Sequence, residues 1–369
     1  MEVSRRALLQ TSLSAVLLGN SSQTQAATLL KNGVDLSWVA NYEAAGGKYY
    51  SSSGRLTDPF ALLKSVRASV ARIRVFVAPS YRNGRLSDAL LLAERAKRAG
   101  LEVCIDLHYS DDWADPGKQI TPAGWSTTSV SLLATQVANY TASTLNEFKK
   151  RGINVDYVQL GNEISNGFLW PLGRIDSANP TQWQNFKQLY NAATAALRQT
   201  LPTAKNVLHL DCGGSDDART RWWLYQTQIY RFGDYDMVGV SYYPQWSGDL
   251  TKLTKALEVI SWEFDKKVVI AETSYPYTPQ SFGNDVYNTK QSQLKGYPLT
   301  TSGQSAYLKK LKTIVKALPN NNGVGIWWWE GLAGRVSKNN LVLADFGVTN
   351  SALIDTRARA LPALSSLSG

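Results

Sequence analysis

Short β-branched runs, each followed by a stretch of helical periodicity, recur eight times along this chain. They are "GVDLSW" from Gly33, "VARIRVFV" from Val70, "EVCIDLHY" from Glu102, "YVQLGNE" from Tyr157, "NVLHLDC" from Asn206, "DMVGVSYY" from Asp236, "KVVIAETSY" from Lys267 and "GVGIWWWE" from Gly323. Amphipathic helical patterns lie between them at 87–99, 132–151, 182–201, 250–264 and 304–318. Alternating strands and helices put the chain in the α/β class, and eight repeats fit a single (β/α)8 barrel of the TIM type. An open doubly wound sheet is the competitor, but the first strand is not followed by the glycine-rich turn that such sheets use to cradle a phosphate. At 369 residues, one large barrel accounts for the length.

A barrel places its functional side chains at the C-terminal ends of its strands, and polar residues collect there in this sequence. Arg74 lies late in the second run, His108 late in the third, and Asn162 and Glu163 end the fourth. His209 and Asp211 end the fifth, Tyr242 and Tyr243 the sixth, Glu272 the seventh, and Trp329 and Glu330 the eighth. Both histidines of the chain fall at such ends. A core histidine is ordinarily structural, and two of two on the expected active rim favours function.

Closure of the barrel can bring Glu163 and Glu272 face to face. A retaining glycosidase needs such a pair. One carboxylic acid protonates the departing glycosidic oxygen while a carboxylate roughly 5 Å away attacks the anomeric carbon. The acid must keep its proton near neutral pH, through burial or a nearby anion, while the nucleophile stays ionised. Arg74 and Tyr242 are the expected donors that hold Glu272 charged, and Asn162 can hydrogen-bond a sugar hydroxyl. The structural alternative for either glutamate is a salt bridge at the barrel mouth. The abundance of aromatics, 12 Trp and 18 Tyr, suits stacking on sugar faces, although large rings also fill large cores.

The formal charge of +10 would suit an acidic partner. The lysines and arginines are scattered, however, in pairs such as Lys149-Lys150, Lys266-Lys267 and Lys309-Lys310, which reads as dispersed surface charge and against nucleic acid. Residues 1–26 form a processing segment: Arg5-Arg6 is a twin-arginine pattern, followed by "ALLQTSLSAVLLG" and small residues before Ala27. That apolar stretch is shorter than the roughly 20 residues a membrane span needs. Export to the periplasm or beyond is expected, with no membrane anchor after processing and residues 27–369 as the mature domain. Cys104 and Cys212 sit in strand-like segments and read as buried thiols, with one bridge as the alternative.

"GNE" at the fourth run and "AET" at the seventh, with the arginine, histidine, tyrosine and tryptophan at their strand ends, resemble clan A of the glycoside hydrolases. Four longer blocks narrow the likeness: "DLHYSDDWADPGKQITPAGW" (106–125), "VQLGNEISNGFLWPLG" (158–173), "VSYYPQW" (240–246) and "ETSYPYT" (272–278). These resemble the endo-β-1,4-galactanases of family 53, from about Gly33 to Leu364. The resemblance implies a monomeric endohydrolase of β-1,4-galactan that needs no organic cofactor or catalytic metal. It implies Glu163 as acid/base and Glu272 as nucleophile, with Arg74, His108, Asn162, Tyr242 and Trp329 around the reacting sugar. It puts Asp111, Trp113 and Asp115 at the substrate groove, and Trp170 and Trp246 on flanking galactose rings. Some bacterial relatives carry a structural calcium near the last two loops, for which Asp285, Asn288 and Asp345 offer oxygen ligands. The chain departs from the family in Val75-Phe76, in Cys212 within "DCGGSDD", and in lacking proline after Trp329-Glu330. A clan A hydrolase of mannan or xylan, or a non-catalytic polysaccharide-binding barrel, remains an open alternative.

Overall fold

Each β-branched run becomes a strand, and the strands close on themselves. The computed structural model describes residues 29–80, 84–175, 179–211, 217–231, 234–287, 293–338 and 341–369. The barrel strands are β1 (Gly33–Asp35), β2 (Val70–Val75), β3 (Glu102–Leu107), β4 (Tyr157–Leu160), β5 (Lys205–Leu210), β6 (Met237–Tyr242), β7 (Lys267–Thr273) and β8 (Gly323–Trp328). All neighbours pair in parallel, and β8 returns to β1. A helix follows each strand: α1 (Pro59–Ser65), α2 (Leu86–Ala99), α3 (Val130–Lys150), α4 (Pro180–Thr200), α5 (Asp217–Tyr230), α6 (Leu250–Glu258), α7 (Thr301–Lys316) and α8 (Pro362–Ser365). The expected (β/α)8 barrel is the observed fold.

Local chemistry sets the helix ends. Asp58, Ser129, Asn179, Asp249 and Thr300 each accept a hydrogen bond from a backbone N–H of the first turn that follows. α5 escapes a search for periodicity because its outward face keeps Trp222, Tyr225 and Ile229 exposed, so it shows no clean apolar stripe.

Successive side chains of a strand point alternately to the lumen and to the helices. Val70, Cys104, Tyr157, Val207, Met237, Val269, Ala271 and Trp327 form one buried cluster. The Tyr157 and Trp327 rings, from strands on opposite sides of the barrel, are 5.5 Å apart, so this cluster is the lumen floor. Two residues further along, the same faces carry Arg72, Asp106, Gln159 and His209. The polar layer therefore stands directly on an apolar one. Gly239 makes room here: a Cβ would lie 3.0 Å from Ala271, 3.1 Å from Val207 and 3.4 Å from the His209 ring.

One irregularity decides where Glu272 points. Val240 of β6 pairs with Ile270, but Ser241 pairs with Glu272, so β7 carries one extra residue at this level. Its other neighbour, β8, shows the same slip between Ile326 and Trp328. Without the bulge, Glu272 would share the outward face of Val268 and Ile270. The bulge turns it in beside lumen-facing Ser241.

Candidate active site

Arg72, wholly buried in the polar layer, is the hub of the site. Its Nη1 donates to Asp35 Oδ2 at 2.7 Å, and its Nη2 donates to Asp106 Oδ2 and to Glu272 Oε1, both at 2.8 Å. Gln159 Oε1 accepts from Nε and Nη2 at 3.2 and 3.1 Å, and Asn162 Oδ1 accepts from Nη2 at 3.1 Å. The Tyr243 hydroxyl donates to Glu272 Oε2 at 2.8 Å. Both oxygens of Glu272 are thus held by donors. Burial raises the Glu272 carboxyl above its ordinary range; the Arg72 charge opposes the rise, Asp106 adds to it and the Tyr243 hydrogen bond opposes it again, so that Glu272 stays raised, but less than Glu163. Tyr243 keeps its proton, since burial and the neighbouring Glu272 anion push it well up.

These two donors are not the expected ones. Arg74 is two residues nearer the strand end, and its Nη1 donates to Glu330 Oε1 at 3.1 Å. Its guanidinium lies 3.9 Å from the centroid of the Trp113 ring. Tyr242 faces outward, where its hydroxyl donates to the Gly248 carbonyl at 2.9 Å and its ring stacks on Tyr307 of α7. Alternation is the reason: Ser241 and Tyr243 share the lumen face and Tyr242 cannot. The sequence reading missed Arg72, although "RIR" puts Arg72 and Arg74 on one face, and it missed Asp35, Asp106, Gln159 and Ser241.

Glu163 stands in a turn that the sequence marks with Gly161. A Cβ at Gly161, where φ is +88°, would meet Ile164 Cγ2 at 2.6 Å. Glu163 itself has φ +48°, a conformation that costs a non-glycine residue about 1–2 kcal/mol. Its N–H is held by His209 Nδ1 at 3.2 Å, and the next N–H, of Ile164, by the His209 carbonyl at 3.0 Å. Its carboxyl opens into a cavity of about 440 Å³ lined with Asp115, Asp211, Arg219, Ser241, Tyr243 and Trp246. Burial and then the Glu272 anion push the Glu163 carboxyl well above its ordinary range, against a hydrogen bond from Ser241. The proton shared by the two glutamates therefore resides on Glu163. A protonated carboxyl lining the cavity, with an ionised one near enough to raise it by its charge, can perform paired acid and nucleophile chemistry.

The other expected residues divide. Trp113 and Trp329, 6.1 Å apart, belong to a wall of rings that runs from Phe346 through Trp38 to Tyr243 and Trp246. Asp115, Asp211 and the exposed Trp246 line the cavity. Asn162 is nearly buried, and its amide donates to the Ala114 carbonyl at 2.8 Å, which ties the third loop to the site. His108 lies beneath the surface, with Nε2 on Asp106 Oδ2 at 2.9 Å and Nδ1 accepting from Ala114 N at 3.3 Å. Asp111 is absent from the cavity lining and staples two loops by accepting from Ala78 N and Ala123 N at 3.0 and 2.8 Å. Trp170 also lies outside the lining, one face covered by Arg174 at 4.8 Å. Of the four Trp that are wholly buried, Trp183, Trp223, Trp327 and Trp328, none reaches the groove, so core and site share the aromatics.

At the place expected for calcium, Asp285 accepts from Phe282 N, Ser281 Oγ and Asn350 N, and Asp345 accepts from Gly347 N. These carboxylates serve protein donors, mostly backbone N–H groups, and no group of three or more His, Cys, Asp or Glu suited to a metal occurs among the described residues. Asn288 and Cys212, like residues 1–26, lie outside the described residues. Cys104 is a buried free thiol of the lumen floor.

The profile of "Glycosyl hydrolase family 53" matches residues 31–367. The chain belongs to this family. It is therefore a glycoside hydrolase. A probable arabinogalactan endo-β-1,4-galactanase A of Aspergillus fumigatus is 35% identical over 314 residues, covering 82% of this chain and 84% of the relative. A fungal β-1,4-galactanase structure superposes with a TM-score of 0.80 at 32% identity, covering 92% of this chain and 99% of the other. The family 53 catalytic domain of Ignisphaera aggregans superposes with a TM-score of 0.84 at 30% identity, covering 92% and 95%. No helix of the described residues of this hydrolase is long and apolar enough to cross a membrane.

Proposed function

We propose that this glycoside hydrolase is a secreted endo-β-1,4-galactanase that cleaves the galactan of type I arabinogalactan and pectic side chains with retention of anomeric configuration. The observation that carries the reading is the unequal setting of two neighbouring carboxyls, of which Glu163 lines the cavity. Glu272 is gripped by Arg72 and Tyr243, whereas burial and the Glu272 anion keep a proton on Glu163. Glu272 attacks the anomeric carbon as Glu163 protonates the departing oxygen, giving a glycosyl ester on Glu272. Water then attacks that carbon, Glu163 takes its proton, and the ester bond to Glu272 breaks. The wall of rings from Trp38 to Trp246 offers flat faces to successive sugars. The galactanase relatives support galactan as the substrate, and the Arg5-Arg6 pattern supports export.

Reducing-sugar release from β-1,4-galactan, mannan, xylan and arabinan, with NMR of the newborn anomer, tests the whole reading. Galactan should be preferred and β-anomers should appear first. Activity confined to mannan or xylan overturns the substrate, and α-anomers overturn retention. Glu272→Ala should lose at least about 10⁴-fold in kcat and regain product of inverted configuration with azide. An alanine variant that turns over galactan normally removes the nucleophile assignment.

A further inference from the structure

His209 has no place in the chemistry above, yet it reaches the Glu163 turn and its neighbour Ser241 along three routes. Its Nδ1 accepts the Glu163 N–H at 3.2 Å, its carbonyl accepts the Ile164 N–H at 3.0 Å, and its Nε2 lies 3.0 Å from Ser241 Oγ. Ser241 in turn lines the same cavity as Glu163, and as a side-chain donor it pulls the Glu163 carboxyl down. Nδ1 also lies 3.0 Å from Asn162 Oδ1, but that oxygen already accepts from Arg72 and Gln159 at 3.1 Å each. A proton on Nδ1 would leave the Glu163 N–H without an acceptor. The proton therefore sits on Nε2, where it donates to Ser241 Oγ, and the serine hydrogen is left free to point at Glu163.

We propose that His209 and Ser241 are a positioning pair: His209 pins the Glu163 turn and aims the Ser241 hydroxyl hydrogen at the Glu163 carboxyl. The inference rests on Glu163 being the acid/base. A donor aimed at a carboxyl favours its anion, the form that Glu163 adopts once its proton has gone to the glycosidic oxygen. The pair thus opposes burial, Glu272, Asp211 and Asp115, all of which hold the proton on Glu163. Among the described residues, Tyr243 and Arg219 complete the ionisable groups lining the cavity. His209 can act this way because it stays neutral: burial and then the Arg72 charge push it well below its ordinary value, against Asp106 and with His108. β6 and β7 bring Ser241 alongside Glu272 through the bulge, so one irregularity places both the nucleophile and the hydroxyl that serves the acid.

The test is the pH profile of kcat/KM on galactan. Ser241→Ala should move the alkaline limb, which reports Glu163, up by about one pH unit. It should lower kcat on galactan about tenfold and spare an aryl β-galactoside whose leaving group needs no proton. His209→Ala should shift the limb alike, and His209→Gln, whose amide N–H stands in for Nε2–H, should bring it back. An alkaline limb in Ser241→Ala unchanged from the wild type, at an unchanged thermal midpoint, overturns the proposal. So does a shifted limb in His209→Gln equal to that of Ser241→Ala. If His209→Ala does not fold, these two variants decide. Glu163→Gln separates the levels: full galactan activity in that variant rejects the acid/base role itself, whereas its inactivity with an unshifted Ser241→Ala rejects only the pair.

Discussion

Arg72 and Arg74 stand two residues apart on the same face of the same strand, both buried, and they live in opposite surroundings. Arg72 meets three carboxylates, of Asp35, Asp106 and Glu272, within 2.8 Å. Arg74 pairs with the Glu330 carboxylate and lies against the rings of Trp113, Phe76 and Trp38. The lower arginine is outnumbered by anions and the upper one is wrapped in aromatics. A cation among anions fixes which groups are charged; a cation among rings fixes where the rings stand. The first is a device for keeping a nucleophile ionised, and the second builds the wall on which a sugar can lie.

Removing the lower cation should do the greatest harm. Arg72→Met leaves three buried carboxylates without their counter-charge, and breaking a buried pair costs about 3–5 kcal/mol. Glu272 would then take up a proton, so kcat on galactan should fall at least about 10³-fold, with a large drop in the thermal midpoint. A folded Arg72→Met enzyme with more than a tenth of wild-type activity would make the two arginines equivalent and end the comparison.

Acid should sharpen the contrast next, because Asp106 beside Arg72 and Glu330 beside Arg74 titrate in opposite senses. Burial alone would raise Asp106, but the Arg72 charge and then His108 overcome it and hold the carboxyl lowered to about 2 from 3.8. A lowered folded value means stability that is fully present above the unfolded value and lost as pH falls through the folded one. Asp106 thus contributes about 2 kcal/mol, which should disappear between about pH 4 and pH 2. Glu330 runs the other way. Burial and then Asp35 push it well above 4.5, against Arg74. Its contribution is greatest at low pH and is lost as pH climbs through its raised value. Thermal midpoints measured across the acid range should therefore peak at mildly acidic pH and fall on both sides. A midpoint flat from pH 5 down to 2 contradicts the hold of Arg72 on Asp106.

Arg74→Met should cost less than Arg72→Met for the same reason. Glu330, already inclined to keep a proton, becomes a neutral acid and not a stranded anion, so the loss should be about 1–2 kcal/mol. The displaced Trp113 should appear mainly as a higher KM for galactan, about tenfold, with kcat little changed. A kcat loss as deep as that of Arg72→Met would place Arg74 on the nucleophile after all.

How far the sequence reveals all this follows from the same strands. Eight β-branched runs gave the barrel, because buried parallel strands write themselves as continuous apolar stretches, and the polar residues at their ends located Glu163 and Glu272. Side-chain direction was harder to read. Nearness to a strand end favours Arg74 over Arg72, yet the long side chain one layer down is the one that reaches Glu272. The β7 bulge leaves no mark in "KVVIAETSY": simple alternation would send Glu272 outward with Ile270. Cross-strand partners, not the run itself, carry that information, and Asp35, Gln159 and Ser241 were invisible for the same cause.

Tyr242 and Tyr243 offer the smallest and cleanest test of that rule, being adjacent residues on opposite faces. Tyr242→Phe deletes one hydrogen bond, to the Gly248 carbonyl, in the packed layer against Tyr307. Its expected cost is about 1 kcal/mol in stability, with kcat and the pH profile both unchanged. Tyr243→Phe, which removes a donor from Glu272, should instead depress kcat while moving the acid limb upward, since the nucleophile then binds its proton more firmly. The sign matters more than the size: an acid limb that moves in Tyr242→Phe and stays put in Tyr243→Phe would mean that the two faces of β6 are exchanged, and with them the assignment of every lumen residue that shares its alternation.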